Sequence, residues 1–99
     1  MTPPELSVVI PAYNEETLIR STLDCLQGYL SVRPETYEII VVDDGSQDRT
    51  VEAVKQLQER NDRIRLLINP QNRGKGFSIQ WGVQESRGQI IIFTDADLP

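Results

Sequence analysis

The chain reads as an α/β domain built on a parallel sheet, and three features point there. Four short runs rich in Ile, Val and Leu are separated by stretches with helical periodicity. Three of those runs are continuously apolar rather than alternating, as in strands covered on both faces. The composition, 99 residues with 38% apolar and 25% charged, suits one globular unit and is too apolar for a disordered chain.

The first strand is expected over Leu6–Ile10. Asn14 then stands as an N-cap for a helix in which Leu18, Ile19, Leu23, Leu26 and Leu30 recur at three- and four-residue spacing. Cys25 falls among these positions and reads as an inert core residue. The second strand is expected over Tyr37–Asp43. Ser46 is the cap of a second helix marked by Val51, Val54 and Leu57, with Asp48 in its first turn, where an acid favours the helix dipole. A third strand, Arg63–Ile68, alternates at Arg63-Ile64-Arg65-Leu66 and so belongs near an edge. Phe77, Ile79, Trp81 and Val83 mark a third helix, with Phe77 and Trp81 read as core. Arg87 is placed in its last turn and Gly88 just past its end. The fourth strand is Gln89–Phe93. The order β-α-β-α-β-α-β implies right-handed crossovers.

Several function classes are excluded. The formal charge is −5, from 15 acids and 10 bases, with no basic run, which argues against sequence-independent nucleic-acid binding. The absence of histidine excludes a Ser-His-Asp triad, histidine metal ligands and imidazole acid-base chemistry. A single cysteine excludes an internal disulfide framework and a cysteine zinc site. The longest clean apolar runs, Ile39–Val42 and Ile90–Phe93, fall far short of the ~20 residues of a membrane span. The opening Met1-Thr2-Pro3-Pro4-Glu5 lacks the basic and apolar regions of a signal peptide.

Open α/β sheets bind ligands at the carboxyl ends of their strands. The segments to inspect are therefore Pro11–Glu15, Asp43–Asp48, Asn69–Gly76 and Thr94–Pro99. Asp43-Asp44 and Asp95-Ala96-Asp97 bring like charges together, which is costly unless a cation or hydrogen-bond donor relieves it. In an extended segment Asp95 and Asp97 point the same way and can converge on magnesium or manganese, hard cations that prefer oxygen. Acids that cap helices or hold turns are the simpler alternative, favoured for Asp48 and left open for the D-x-D pair. Tyr13 offers a ring face to a base and Glu15 a hydrogen-bond acceptor, although Glu15 and Glu16 also suit a helix's first turn. Asn72-Arg73-Gly74-Lys75-Gly76 combines two cations with two glycines and can approach a phosphate. It is neither a Walker loop nor G-x-G-x-x-G, and a flexible turn accounts for it equally well.

Taken together, Val8-Val9-Ile10-Pro11-Ala12-Tyr13-Asn14-Glu15-Glu16, Glu38-Ile39-Ile40-Val41-Val42-Asp43-Asp44-Gly45-Ser46, Asn72-Arg73-Gly74-Lys75-Gly76 and Asp95-Ala96-Asp97-Leu98 occur in one order. In this the chain resembles the N-terminal part of a family 2 glycosyltransferase with the GT-A fold, particularly the branch of dolichyl-phosphate mannose and glucose synthases. The resemblance runs from about Leu6 to Leu98. It implies a Rossmann-like half-domain whose four parallel strands lie in the order 3-2-1-4, with helices on both faces, as the crossover rule also favours. It also implies an inverting hexosyl transfer from GDP-mannose or UDP-glucose to a polyprenyl phosphate. On this resemblance Pro11, Tyr13 and Glu15 belong to the first nucleotide-binding loop, Asp44 reads the base, and Asp97 binds the Mg²⁺ or Mn²⁺ that bridges the diphosphate. Asp95 reaches the ribose or metal-bound water. Lys75 is expected among the nucleotide ligands.

The chain stops two residues past the D-x-D motif, so the acceptor half and the general base are expected beyond Pro99 and the 99 residues alone are expected to bind nucleotide without turnover. A cytoplasmic setting is expected, with membrane contact only through that missing part. The fourth strand, at the sheet edge and without a charge, is expected to pair with a second copy. Two competing readings use similar acids. A phosphorelay receiver places its acidic pair after the first strand, and a haloacid-dehalogenase-like phosphatase begins with its D-x-D. A noncatalytic nucleotide-binding domain is the third.

Overall fold

The computed structural model describes residues 2–96. Its elements are β1 (Leu6–Ala12), α1 (Ile19–Ser31), β2 (Tyr37–Asp44), α2 (Thr50–Gln58), β3 (Ile64–Asn69), α3 (Lys75–Glu85) and β4 (Ile90–Phe93). The strands form one parallel sheet in the order β3-β2-β1-β4, as expected.

The apolar composition of the central strands explains their position. Every residue of β2 is buried. Alternate side chains enter two separate cores, because successive residues of a strand point to opposite faces. Val8, Ile10, Ile39 and Val41 pack with Ile19, Leu23, Leu30, Val54 and Leu57 of α1 and α2. Val9, Ile40 and Val42 face the other way, against Leu67 and Trp81. Thus α1 and α2 cover one face and α3 the other. Gly82 lets α3 approach closely, since a Cβ there would lie 2.4 Å from Val9 Cγ1 and 3.1 Å from Val42 Cγ2.

At the amino end of the sheet Glu38 is a buried carboxylate. Desolvation pushes its pKa up, but hydrogen bonds from the Ser7 hydroxyl, the Arg87 N–H and the Arg65 guanidinium outweigh that and hold it below the ordinary value. Arg65 also donates to the Glu85 carbonyl, so this cluster ties the end of α3 to the sheet.

Several local expectations are corrected. Cys25 is exposed, because the buried stripe of α1 runs through Ile19, Leu23 and Leu30, and Cys25 lies about 200° round the helix from Leu23. Phe77 is exposed beneath the Arg73 guanidinium, while Trp81 is half-buried on the smaller core. Gly88 and Arg87 lie beyond the Ser86 cap of α3, where Gly88 donates to Ser7 Oγ. On β4 every residue is exposed, including Ile90 at 62% and Phe93 at 61%, since only β1 pairs with this edge strand among the described residues.

Candidate functional site

The carboxyl ends of β1, β2 and β4 and the N-terminus of α3 enclose a crevice of about 410 Å³. Its lining includes Pro11 near the end of β1, Tyr13 and Glu15 after it, Asp44 at the end of β2, Asn72, Gly74, Lys75 and Ser78 around the start of α3, and Asp95 after β4. The residues singled out from sequence as nucleotide ligands therefore converge. Asp97, expected to bind the metal, lies outside the described residues.

Register explains the convergence. Ala12 stands opposite Asp43, and Asp43 opposite Ile68, so β1, β2 and β3 finish at one level. The strand order reverses at β1, which leaves a gap between the loops after β1 and β4.

Asp44 is buried and faces the α3 side. Its Oδ1 accepts the Arg73 N–H and its Oδ2 the Gly74 N–H, each at 2.8 Å, so it shapes the loop ahead of α3. This second task was not legible from the sequence. Asp43 points to the opposite face, accepts the Ser46 N–H, and lines no part of the crevice; its Oδ1 is buried without a hydrogen-bond partner among the described residues. Gly45, at φ +76°, brings its loop against the backbone of Gln71 and Asn72, and a Cβ there would meet Asn72 N at 2.7 Å. Sequence reasoning passed over Gly45, although its place directly after two acids at a strand end was a signal.

Asp95 and Ala96 separate by alternation. Ala96 is buried in the larger core and its carbonyl accepts the Thr22 hydroxyl, while Asp95 is exposed and takes a hydrogen bond from Lys75 Nζ across the crevice mouth. Lys75 opens α3, so its charge adds to the positive end of that helix.

The caps differ from expectation. Neither Asn14 nor Ser46 caps its own helix; α1 begins at Ile19 after Leu18 and α2 at Thr50 after Arg49. Asn14 sits at φ 52°, a left-handed conformation that asparagine tolerates. Its N–H donates to Ser46 Oγ, and its Oδ1 accepts the Gln47 N–H. The Glu15 N–H donates to Thr50 Oγ1 and the Glu16 N–H to Asp48 Oδ2. Glu15 and Glu16 thus precede the helix rather than occupying its first turn. Asp48 stands just ahead of α2 and holds turns, in keeping with its simpler reading. Desolvation raises its pKa, but bonds from the Thr50 hydroxyl and the Thr50 and Glu16 N–H groups outweigh this and leave it lowered.

A cation would find a partial set of donors here. Asp95 supplies a hard carboxylate on the crevice wall, and among the described residues no group of three or more His, Cys, Asp or Glu is arranged to hold a metal. That donor set fits a cation shared with a ligand's phosphate oxygens.

A parallel α/β sheet with acids, a lysine and a helix N-terminus around its switch-point crevice defines a nucleotide-binding type of fold. The family model described as glycosyl transferase family 2 matches residues 7–98, and the chain belongs to that family. It is 44% identical over 100 residues to the dolichyl-phosphate beta-glucosyltransferase of Homo sapiens, covering 94% of this chain and 31% of that protein. Among solved structures it resembles the mannosyltransferase PcManGT from Pyrobaculum calidifontis in complex with GDP-Man and Mn²⁺, with a TM-score of 0.81, 29% identity and coverage of 98% of this chain and 28% of that one. It also resembles glucosyl-3-phosphoglycerate synthase from Mycobacterium tuberculosis in complex with Mn²⁺, UDP and glucosyl-3-phosphoglycerate. There the TM-score is 0.74, the identity 29%, and the coverage 97% of this chain and 34% of that one. The chain thus spans about a third of the length of these relatives. The acidic pair closes β2 rather than β1, which sets the receiver reading aside. No helix among the described residues is long and apolar enough to cross a membrane.

Proposed function

We propose that this chain is the donor-nucleotide-binding part of an enzyme that transfers a hexose from GDP-mannose or UDP-glucose to a polyprenyl phosphate. The observation that carries the reading is the convergence of Tyr13, Glu15, Asp44, Lys75 and Asp95 on one crevice. The GDP-Man and UDP named with the structural neighbours support a nucleotide sugar, and the name of the human relative supports the acceptor class.

The residues divide the donor between them. Pro11 and Tyr13 flank the base, and Glu15 takes a ribose hydroxyl. A carboxylate has about four acceptor sites. Asp44 uses two on the Arg73 and Gly74 amides and a third on the Asn69 side-chain amide at 3.5 Å, and retains capacity for the imino N–H of uracil or guanine. Lys75 and the N-terminus of α3 meet the diphosphate. Asp95 and Asp97 would hold Mg²⁺ or Mn²⁺. When bound, that metal supplies Lewis-acid stabilisation of the departing diphosphate. The enzyme works at the cytoplasmic side.

Titration calorimetry with UDP and GDP, with and without Mn²⁺, tests the reading. Metal-dependent binding of one nucleotide is expected, weakened at least about tenfold by Asp44→Ala, as loss of a buried charged hydrogen bond requires. Binding of neither nucleotide by the intact polypeptide would refute it.

A further inference from the structure

The loop after β1 is tied to the loop after β2. The Asn14 N–H is taken by Ser46 Oγ at 2.9 Å, the Glu15 N–H by Thr50 Oγ1 at 2.8 Å and the Glu16 N–H by Asp48 Oδ2 at 3.2 Å, and the Gln47 N–H returns to Asn14 Oδ1 at 2.9 Å. Asn14 is held left-handed between Tyr13 and Glu15, the two residues of this loop that line the crevice. Thr50, by contrast, is wholly buried and does not line it. Its hydroxyl accepts from Glu15 and donates to Asp48, whose second oxygen holds Glu16.

We infer that Asn14, Ser46, Asp48 and Thr50 are positioning residues for nucleotide affinity: they staple the β1–α1 loop to the β2–α2 loop and so set Tyr13 and Glu15 against Asp44. The inference rests on the nucleotide reading above. Its physical basis is preorganisation. A loop whose amides are held by a neighbouring loop loosens when those acceptors go, and the ligand must then re-order it on binding. Thr50 is the sharpest position, because valine keeps its shape while removing the acceptor for the Glu15 N–H.

The test measures UDP and GDP affinity in Mn²⁺ for the intact polypeptide carrying Thr50→Val, Thr50→Ser or Asn14→Gly, well below each variant's melting temperature. There the folded fraction is near unity, so a loss of global stability alone leaves the dissociation constant unchanged. Thr50→Val is expected to weaken binding about fivefold, the equivalent of one ordinary hydrogen bond, and Thr50→Ser to restore it. Asn14→Gly keeps the left-handed backbone, removes the bond to Gln47 and lies on the surface, so it folds even if Thr50→Val does not; a loss of about threefold to fivefold is expected. Wild-type affinity in both Thr50→Val and Asn14→Gly, or no restoration by Thr50→Ser, overturns the inference while the nucleotide reading stands. If the parent polypeptide binds neither nucleotide, the nucleotide reading fails and the inference fails with it.

Discussion

Replacing Gly82 by alanine sets two effects of opposite sign against each other. Glycine within a helix costs about 1 kcal/mol relative to alanine, so Gly82→Ala would stabilise α3 if nothing else changed. The helix, however, rests on β1 and β2 at this point. The new Cβ would lie 2.4 Å from Val9 Cγ1 and 3.1 Å from Val42 Cγ2, whereas carbon contacts are comfortable at ~3.5–4.0 Å. Both partners are fully buried, β-branched and on central strands, so neither side chain can turn away. Overpacking of this kind costs about 1–3 kcal/mol, and relief requires α3 to lift by about 1 Å. A contact at 2.4 Å belongs in the upper half of that range, so after the propensity gain the net expectation is a loss of about 1–2 kcal/mol. Gly28 is the control. It lies within α1, and a Cβ added there would meet nothing within 4 Å, so Gly28→Ala should gain up to about 1 kcal/mol. Urea unfolding followed by the fluorescence of Trp81, the single tryptophan, reads both. With a slope near ~1–2 kcal/mol/M, the midpoint falls by roughly 0.5–2 M for Gly82→Ala and rises for Gly28→Ala. An unchanged or higher midpoint for Gly82→Ala would refute the packing argument. Lifting α3 also moves Lys75 and Ser78 away from Asp44 and Asp95, so nucleotide affinity should fall for Gly82→Ala alone.

Three further outcomes follow. Lys75→Gln frees Asp95 from its exposed ion pair, so titration should show Mn²⁺ alone binding up to about fivefold more tightly, an exposed pair being worth ~0–1 kcal/mol, while nucleotide diphosphate binds more weakly. A Glu38→Gln variant should lose stability at neutral pH and lose part of its acid sensitivity. The Glu38 carboxyl is lowered on folding, so its contribution is complete above the unfolded value and disappears as pH falls through the folded one; an equal loss of unfolding free energy in both proteins, read by urea titration at pH ~5 and ~3, would contradict this. The exposed β4 should drive self-association of the 99-residue chain, visible by size-exclusion chromatography across a concentration series, and Ile91→Lys with Phe93→Lys should suppress it. A monomer at all concentrations would show that this edge is inert.

The strands, their parallel pairing and the residues on the crevice wall were legible in the one-dimensional pattern, because strands buried on both faces must be continuously apolar and ligands gather where such strands end. The strand-end rule marked out the segments that hold Tyr13, Glu15, Asp44, Lys75 and Asp95, and the resemblance to family 2 glycosyltransferases singled out these residues within them. What the pattern could not show depends on contacts between residues distant along the chain. The partners of the Asn14, Glu15 and Glu16 amides lie more than thirty residues away, so the local signals of Asn14 and Ser46 looked like helix caps of their own. Cys25 was misplaced because periodicity marks an apolar stripe without saying which part of it a neighbouring helix covers. The second task of Asp44 and the close seat of Gly82 likewise exist only once α3 lies on the sheet, since a hydrogen bond to a loop and a missing Cβ acquire meaning from what stands opposite them.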